Sequence, residues 1–315
     1  MLTHYDASPE TRLDRARTAA HLRHISPHVR QYLIAGTTGD GWEMPSRVLE
    51  DWLDLARNPN VLSPEHTVLF GAFAATTEAV IARAQAIENA IGDRPLAAAY
   101  AGLTVCAPIA AAATQNEIVQ HFERILDATT SPIAIYQLPQ VVQCEIAPET
   151  LAALAKDNPR ITLFKDTSGK DAIAASGVAT GSTRLLRGAE GDYAGHLKPN
   201  GPYDGWLLST ANSLAPQLRA IAGMVAAGQQ DDADAASKKL TTLVEGLFAA
   251  ADGLPWGNPF SNANRAVDHI MAHGANWRTA PARLASGGQL PDSFLQRVET
   301  LLQNFGLNTQ TGYRP

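Results

Sequence analysis

Apolar and polar positions change period repeatedly along the first two thirds of this chain. Short apolar runs, several of them with β-branched residues, stand at 32–35, 68–71, 103–106, 132–136, 161–164, 184–187 and 205–209. Each has the length and composition of a buried strand. Before and between them the apolar positions take helical spacing, at 11–30, from the first glycine loop to about 56, and at 76–89, 114–126, 148–156 and 170–179. Pro148 suits the first turn of its helix. A short helical stretch is expected after residue 188. Only residues 1–4 remain to supply one more strand, and that stub is short. The Ala- and Gly-rich stretch 97–102 carries no readable period and is taken as a loop or a longer crossover. From about residue 216 strand patterns cease. Residues 216–228, 232–252 and 290–305 read as helices, and Trp256-Gly257-Asn258-Pro259-Phe260 interrupts them.

Strand runs that are each followed by a helix call for parallel strands and right-handed crossovers. Eight such units close into a (β/α)8 TIM barrel of roughly 250 residues. The expected fold class is therefore α/β: a barrel over residues 1–215 and a C-terminal α-helical region, 216–315, packed on it. No Gly/Ser or Pro-rich linker divides the two, so they read as one covalent unit. The other architecture this alternation allows is an open, doubly wound sheet. That sheet would carry a dinucleotide fingerprint after an early strand, and Gly36-Thr37-Thr38-Gly39 lacks the GxGxxG spacing.

Composition narrows the partners. The chain of 315 residues is 45% hydrophobic and 18% charged, with a net charge of −6 and a pI near 5.8. That balance argues against a nucleic-acid or anionic-membrane surface. No apolar run reaches the roughly 20 residues of a membrane span, and the first residues lack the apolar core of a signal peptide. Cys106 and Cys144 make neither a disulfide framework nor a zinc spacing, so a reducing, cytoplasmic setting is the default.

In a parallel barrel the chemistry sits at the carboxyl ends of the strands. Three runs place suitable groups there: Thr37 and Thr38, Tyr136, and Lys165 in Phe164-Lys165-Asp166-Thr167-Ser168-Gly169. Desolvation disfavours a charged ammonium and frees an amine nucleophile, although a lysine at a strand end can also snorkel to water. A lysine amine, a phenol and two hydroxyls form a coherent set for carbonyl chemistry: imine formation, proton shuttling and carboxylate binding. Taken singly, the threonines also fit an ordinary turn and the tyrosine a packed ring.

These residues fall in recognisable motifs. Gly36-Thr37-Thr38-Gly39-Asp40, Tyr136-Gln137-Leu138-Pro139, the lysine motif, Gly205-Trp206-Leu207-Leu208-Ser209-Thr210-Ala211-Asn212 and Asn258-Pro259-Phe260 occur in this order. Together they resemble the dihydrodipicolinate synthase / N-acetylneuraminate lyase family of class I pyruvate-dependent aldolases. The resemblance implies a barrel with C-terminal helices, built as a homo-oligomer, dimer or tetramer. It implies no metal and no organic cofactor, because the keto acid itself forms the imine. By position Lys165 is the imine former and Tyr136 the proton shuttle. Thr37 and Thr38 bind the keto-acid carboxylate, the Leu207 backbone lines the same pocket, and Gly188 lets the chain approach the ligand.

Several positions depart from the family pattern. Ile109-Ala110 follows Ala107-Pro108 where synthase members carry an aromatic pair, and Val141 stands at the position of an arginine that grips a carboxylate. A valine cannot form that fork. The expected specificity pocket therefore comprises Trp42, Ile109, Val141 and Glu190, with Gln140, Val142 and Gln143 nearby. Trp42 either stacks on a substrate chain or is a packed ring. Glu190 either touches a substrate hydroxyl or is a solvated loop carboxylate. His269 and His273, four apart on a helix, have the spacing of a metal pair but lack the HExxH glutamate, so a helix face is preferred. The functional expectation is a Schiff-base lyase or aldolase that takes a small-molecule keto acid and an aldehyde, with a 2-keto-3-deoxy sugar acid among the candidate substrates. A 4-hydroxy-tetrahydrodipicolinate synthase with a remodelled pocket and a non-catalytic keto-acid-binding barrel are the alternatives.

Overall fold

The computed structural model describes residues 1–314. Its centre is one parallel sheet of seven strands that follow one another in sequence order. They are β1 (Gln31–Ile34), β2 (Thr67–Gly71), β3 (Ala99–Cys106), β4 (Ile133–Gln137), β5 (Ile161–Asp166), β6 (Arg184–Arg187) and β7 (Gly205–Trp206). A doubly wound sheet reverses its strand order at a switch point; this one never does. Every residue of β4 is buried, as expected where helices cover the outer face of a parallel sheet.

The helices of this half are α1 (Arg15–Ile25), α2 (Ser46–Ala56), α3 (Thr77–Asp93), α4 (Gln115–Ala128), α5 (Pro139–Val142), α6 (Pro148–Asp157) and α7 (Ala172–Ser176). Local chemistry sets their starts. Thr114 and Glu117 close a reciprocal capping box on α4, the Thr76 hydroxyl caps α3, and proline opens α5 and α6. Gly177, in the left-handed conformation, stops α7 well short of the expected residue 179.

Four sequence expectations need correction. The stretch 97–102 is not a loop from residue 99 on, where β3 begins. The register against β2 slips at Gly102, whose Cβ, were it present, would lie 2.1 Å from the Pro132 carbonyl oxygen. The glycine therefore lets β4 approach through a bulge, and small residues hid the strand. The second departure lies at residues 1–4. They are buried between β1 and the segment after β7 but form no ladder. The Leu2 N–H donates to the Asn212 side-chain oxygen (2.8 Å), and the Thr3 hydroxyl donates to the Gly39 carbonyl (2.7 Å). Third, β7 pairs over only Gly205 and Trp206. One further bond runs from Leu207 N–H to the Arg187 carbonyl (2.9 Å), after which the chain turns into a 3-10 segment, Thr210–Asn212. Fourth, no helix forms between β6 and β7. The Arg187 guanidinium holds that segment as a loop, donating to the carbonyls of Ala189 (3.0 Å) and Gly191 (2.6 Å).

The C-terminal helices are α8 (Ala215–Ala226), α9 (Gln230–Ala251), α10 (Pro259–His273) and α11 (Asp292–Phe305). They surround a second apolar cluster that includes Tyr193, Leu197 and Leu208 from the chain before residue 216. α10 is not delimited in the sequence reading, which puts His269 and His273 on a helix. It is buried on nearly every side, and Asn262, Asn264, Arg265, Asp268 and His269 all sit inside, so it shows no apolar stripe to recognise. These polar groups fasten it to the sheet half. Arg265 donates to Asp40 (2.6 Å) and to the Thr3 carbonyl (2.6 Å). Asp268 accepts from the Arg17 guanidinium and from the Tyr313 hydroxyl (2.6 Å).

Candidate active site

Lys165 and Tyr136 are register partners on β5 and β4, so parallel pairing alone brings their side chains to the same face. Both are buried, at 8% and 3% exposure. The lysine Nζ lies 4.0 Å from the centroid of the tyrosine ring. Asp166, next along β5, points to the opposite face as strand alternation requires. Its carboxylate accepts from Ser168 N–H (2.9 Å) and from the Tyr203 hydroxyl (3.3 Å), and burial pushes its carboxyl above the usual range.

Gly188, at the end of β6, is where the backbone makes room for the lysine. A Cβ there would lie 2.6 Å from Lys165 Cε and 2.3 Å from Thr167 Oγ1. Thr37 and Thr38 occupy a 3-10 turn after β1, closed by Asp40 in the left-handed conformation (φ 59°). The Asp40 carboxylate accepts from Arg265 and from the Tyr5 hydroxyl (2.9 Å), so it braces the loop.

Lys165, Thr37 and Thr38 face two cavities. The smaller is also lined by Leu207, Leu208 and Asn212. The larger, about 290 Å3, adds Tyr136, Gly188 and Glu190, with Thr241, Val244, Glu245 and Phe248 of α9 and Phe260 of α10. The helical region thus closes the mouth of the site, and sequence reasoning had assigned it no part there.

The residues expected to set specificity fare unevenly. Trp42 is absent from the wall of either cavity. Its indole N–H donates to Thr37 Oγ1 (3.2 Å), and its ring stacks on Phe73 (5.0 Å), which in turn sits 6.0 Å from the Tyr136 ring. Ile109 is 40% exposed and away from both cavities. Val141, in the short helix α5, packs against the core rather than on the cavity wall. From the same helix Gln140 does reach the wall, and its amide donates to the Thr167 carbonyl (2.8 Å). Val142 is buried, and Gln143 ends the helix in the left-handed conformation. Glu190 lines the larger cavity with its acceptors already engaged: Ser209 Oγ (2.7 Å) and Thr210 N–H (3.0 Å) on one oxygen, Tyr193 OH (3.0 Å) and Thr210 Oγ1 (2.7 Å) on the other. A carboxylate offers about four such sites, so Glu190 ties the loop after β6 to the one after β7.

Sequence reasoning passed over Thr167, whose hydroxyl is buried without a partner beside the lysine. It also passed over Phe73, Glu245 and Phe248, which belong to no recognisable motif. Among the histidines, His269 Nε2–H donates to the Trp277 carbonyl (2.8 Å) with the His273 ring 4.7 Å away, and His121 bridges Thr77 and the Cys106 carbonyl. A tighter group, His4, His21 and Asp268, brings its ligand atoms within 4.8 Å of one another. The guanidinium of Arg17 already occupies Asp268, which opposes a second cation there.

Comparison with known proteins agrees with this geometry. The dihydrodipicolinate synthetase family model matches residues 26–257. The chain belongs to that family. Among its relatives, a 4-hydroxy-tetrahydrodipicolinate synthase of Corynebacterium diphtheriae is 30% identical over 227 residues, 69% of this chain and 67% of the relative. One from Halorhodospira halophila is 27% identical over 196 residues, 62% of this chain and 60% of the relative, so that match spans less than two thirds of the relative's length. Similar solved structures include a prophage protein of the family from E. coli K12 in complex with pyruvate (TM-score 0.76, 19% identity, covering 97% of this chain and 96% of that one). The KD(P)GA of T. tenax is also similar (TM-score 0.74, 19% identity, 97% and 96%). At these identities the structures speak for a shared fold.

Proposed function

We propose that this family member is a class I Schiff-base lyase acting on pyruvate or a related 2-keto acid. The supporting observation is Lys165 Nζ held over the Tyr136 ring inside the larger cavity. In the proposed reaction the neutral Lys165 amine attacks the C2 carbonyl and water leaves, giving an imine. Thr37 and Thr38, with neighbouring backbone N–H groups, hold the keto-acid carboxylate. Gly188 and the Leu207 backbone border the bound acid. In the cleavage direction Tyr136 takes the proton of the C4 hydroxyl as the C3–C4 bond breaks. The bond's electron pair enters the iminium to give an enamine, and an aldehyde departs. The same proton returns to C3, and water then releases the keto acid and the free lysine. Condensation runs the steps in reverse. No metal or organic cofactor takes part in this scheme.

The same reading extends to the architecture. We take residues 1–215 as a (β/α)8 barrel, with the stub 1–4 at the position of its first strand, and 216–315 as the helical region packed on it. A cytoplasmic homo-oligomer, dimer or tetramer, fits the family. The synthase reaction itself is not favoured: among the described residues lining the cavity there is no arginine to pair with the carboxylate of an acidic aldehyde.

Borohydride reduction in the presence of pyruvate tests the proposal. The expected result is a mass increase of one reduced pyruvate adduct on the peptide containing Lys165. No adduct, or an adduct on another lysine, overturns it. Tyr136→Phe should lower kcat by a factor of about 10² or more and leave adduct formation measurable.

A further inference from the structure

We propose that the aldehyde handled at this site is uncharged and carries a hydrocarbon or aromatic body. The inference rests on the imine reading above and concerns the part of the cavity beyond Lys165.

Two rings form the far wall. Phe248 of α9 and Phe260 of α10 meet edge to face, with centroids 5.0 Å apart at 87°. Val244 and Leu138 extend the apolar surface. A flat or branched hydrocarbon gains from burial against such a wall, whereas a polyhydroxylated chain needs partners for each hydroxyl.

Several of those partners are already engaged within the protein. Ser209 donates to Glu190, and both Glu190 oxygens are filled. Thr241 Oγ1 accepts from Asp192 N–H (3.3 Å), and Ser168 Oγ accepts from Lys170 N–H (3.1 Å). Apart from Thr38 and Tyr136, which the proposed reaction itself uses, the hydroxyl left without a partner is that of Thr167, and it stands beside Lys165 Cε, where both crowd the missing Cβ of Gly188. One free hydroxyl next to the imine matches one substrate oxygen at C4. Beyond it the cavity offers hydrocarbon.

Charge points the same way. The cation lining the larger cavity is Lys165, whose nitrogen the keto acid takes up as the iminium, while Glu190 and Glu245 are carboxylates. Glu245 is exposed at the mouth. An aldehyde bearing a carboxylate or phosphate would meet like charge and no guanidinium. The cavity volume of about 290 Å3 lies at the lower edge of the roughly 300–1,000 Å3 of small-molecule sites, which suits a keto acid joined to a single ring or a short branched chain.

The test pairs pyruvate with benzaldehyde, glyceraldehyde or succinic semialdehyde, follows aldol product formation with the wild-type protein, and runs borohydride trapping in parallel. We expect kcat/KM for benzaldehyde to exceed that for each of the others by at least about tenfold, the usual scale of discrimination by an apolar pocket. Glu245→Arg, on an exposed helix face, should raise the succinic semialdehyde to benzaldehyde ratio by about tenfold. If pyruvate labels Lys165 but glyceraldehyde or the semialdehyde equals or outruns benzaldehyde, the inference is overturned and the lyase reading stands. An unchanged ratio in Glu245→Arg overturns the charge argument. Failure of pyruvate to label Lys165 removes both readings.

Discussion

Replacing Gly188 by alanine isolates the steric claim on which the site depends. The new Cβ would stand 2.6 Å from Lys165 Cε, 2.3 Å from Thr167 Oγ1 and 3.1 Å from the Asp166 carbonyl oxygen. Carbon atoms settle at about 3.5 Å or more, so the lysine chain must retreat by about 1 Å. A displacement of that size at a reacting atom costs on the order of 10²-fold in rate. Overpacking costs about 1–3 kcal/mol, partly offset by the roughly 0.4–1 kcal/mol that alanine removes from the unfolded chain's freedom. The net change in Tm should therefore be a few degrees, with the fold intact. Gly223 in α8 is the control, because a Cβ there meets nothing within 4 Å. Gly223→Ala should keep full activity and the same or a slightly higher Tm. The assay is the rate of borohydride-trapped adduct at Lys165 with pyruvate, alongside a thermal melt. If Gly188→Ala traps pyruvate within threefold of the parent rate, the close approach of backbone and lysine is not what positions the amine, and the reasoning fails.

Trp42→Phe keeps the ring that stacks on Phe73 but deletes the N–H that donates to Thr37 Oγ1. A hydrogen bond of about 1 kcal/mol corresponds to roughly a fivefold loss in kcat/KM, with Tm little changed; a loss confined to Tm would contradict the positioning role. Asp268→Asn leaves the buried Arg17 guanidinium without its counter-charge and should destabilise the protein by about 3–5 kcal/mol, readable in a denaturant titration; an unchanged midpoint would refute the fastening role given to this pair. Acid should weaken the fold early. Burial holds His4, His21, His121 and His269 below the ordinary histidine value of 6.5, and lowers His273 to about 4. Between these folded values and 6.5 the unfolded chain binds more protons, so stability falls as pH drops from about 6.5 toward 4. Asp268, held below the usual carboxylate range by Arg17 against the cost of its burial, adds its loss only under about pH 3.8. A Tm that stays flat from pH 7 to pH 4.5 would sink this account.

The sheet was legible because several of its strands, β4 above all, are buried on both faces, which leaves short continuous apolar runs between helical periods. The failures share a cause. β3 starts in residues too small to register as a strand, and its bulge depends on Gly102. α10 carries its polar residues inward, to Asp40, Arg17 and the N-terminal segment, so neither an apolar stripe nor a polar face betrays it. The absent helix between β6 and β7 yields to Arg187, whose guanidinium satisfies loop carbonyls that a helix would have satisfied along its own axis.

For the site, residues on adjacent strand ends could be read from sequence, and residues that meet through tertiary packing could not. Tyr136 and Lys165 are placed by register alone; once the runs are strands of neighbouring units, their side chains must share a face. Trp42 follows the threonine loop by a few residues, and proximity in sequence suggested a cavity wall. The turn closed by Asp40 instead rotates its ring onto Phe73 and its N–H onto Thr37. An indole N–H donates and never accepts. Thr37 thereby keeps its own proton to give, and no route leads outward through Trp42. In the proposed reaction this favours a proton that stays with Tyr136 between leaving the C4 hydroxyl and returning to C3.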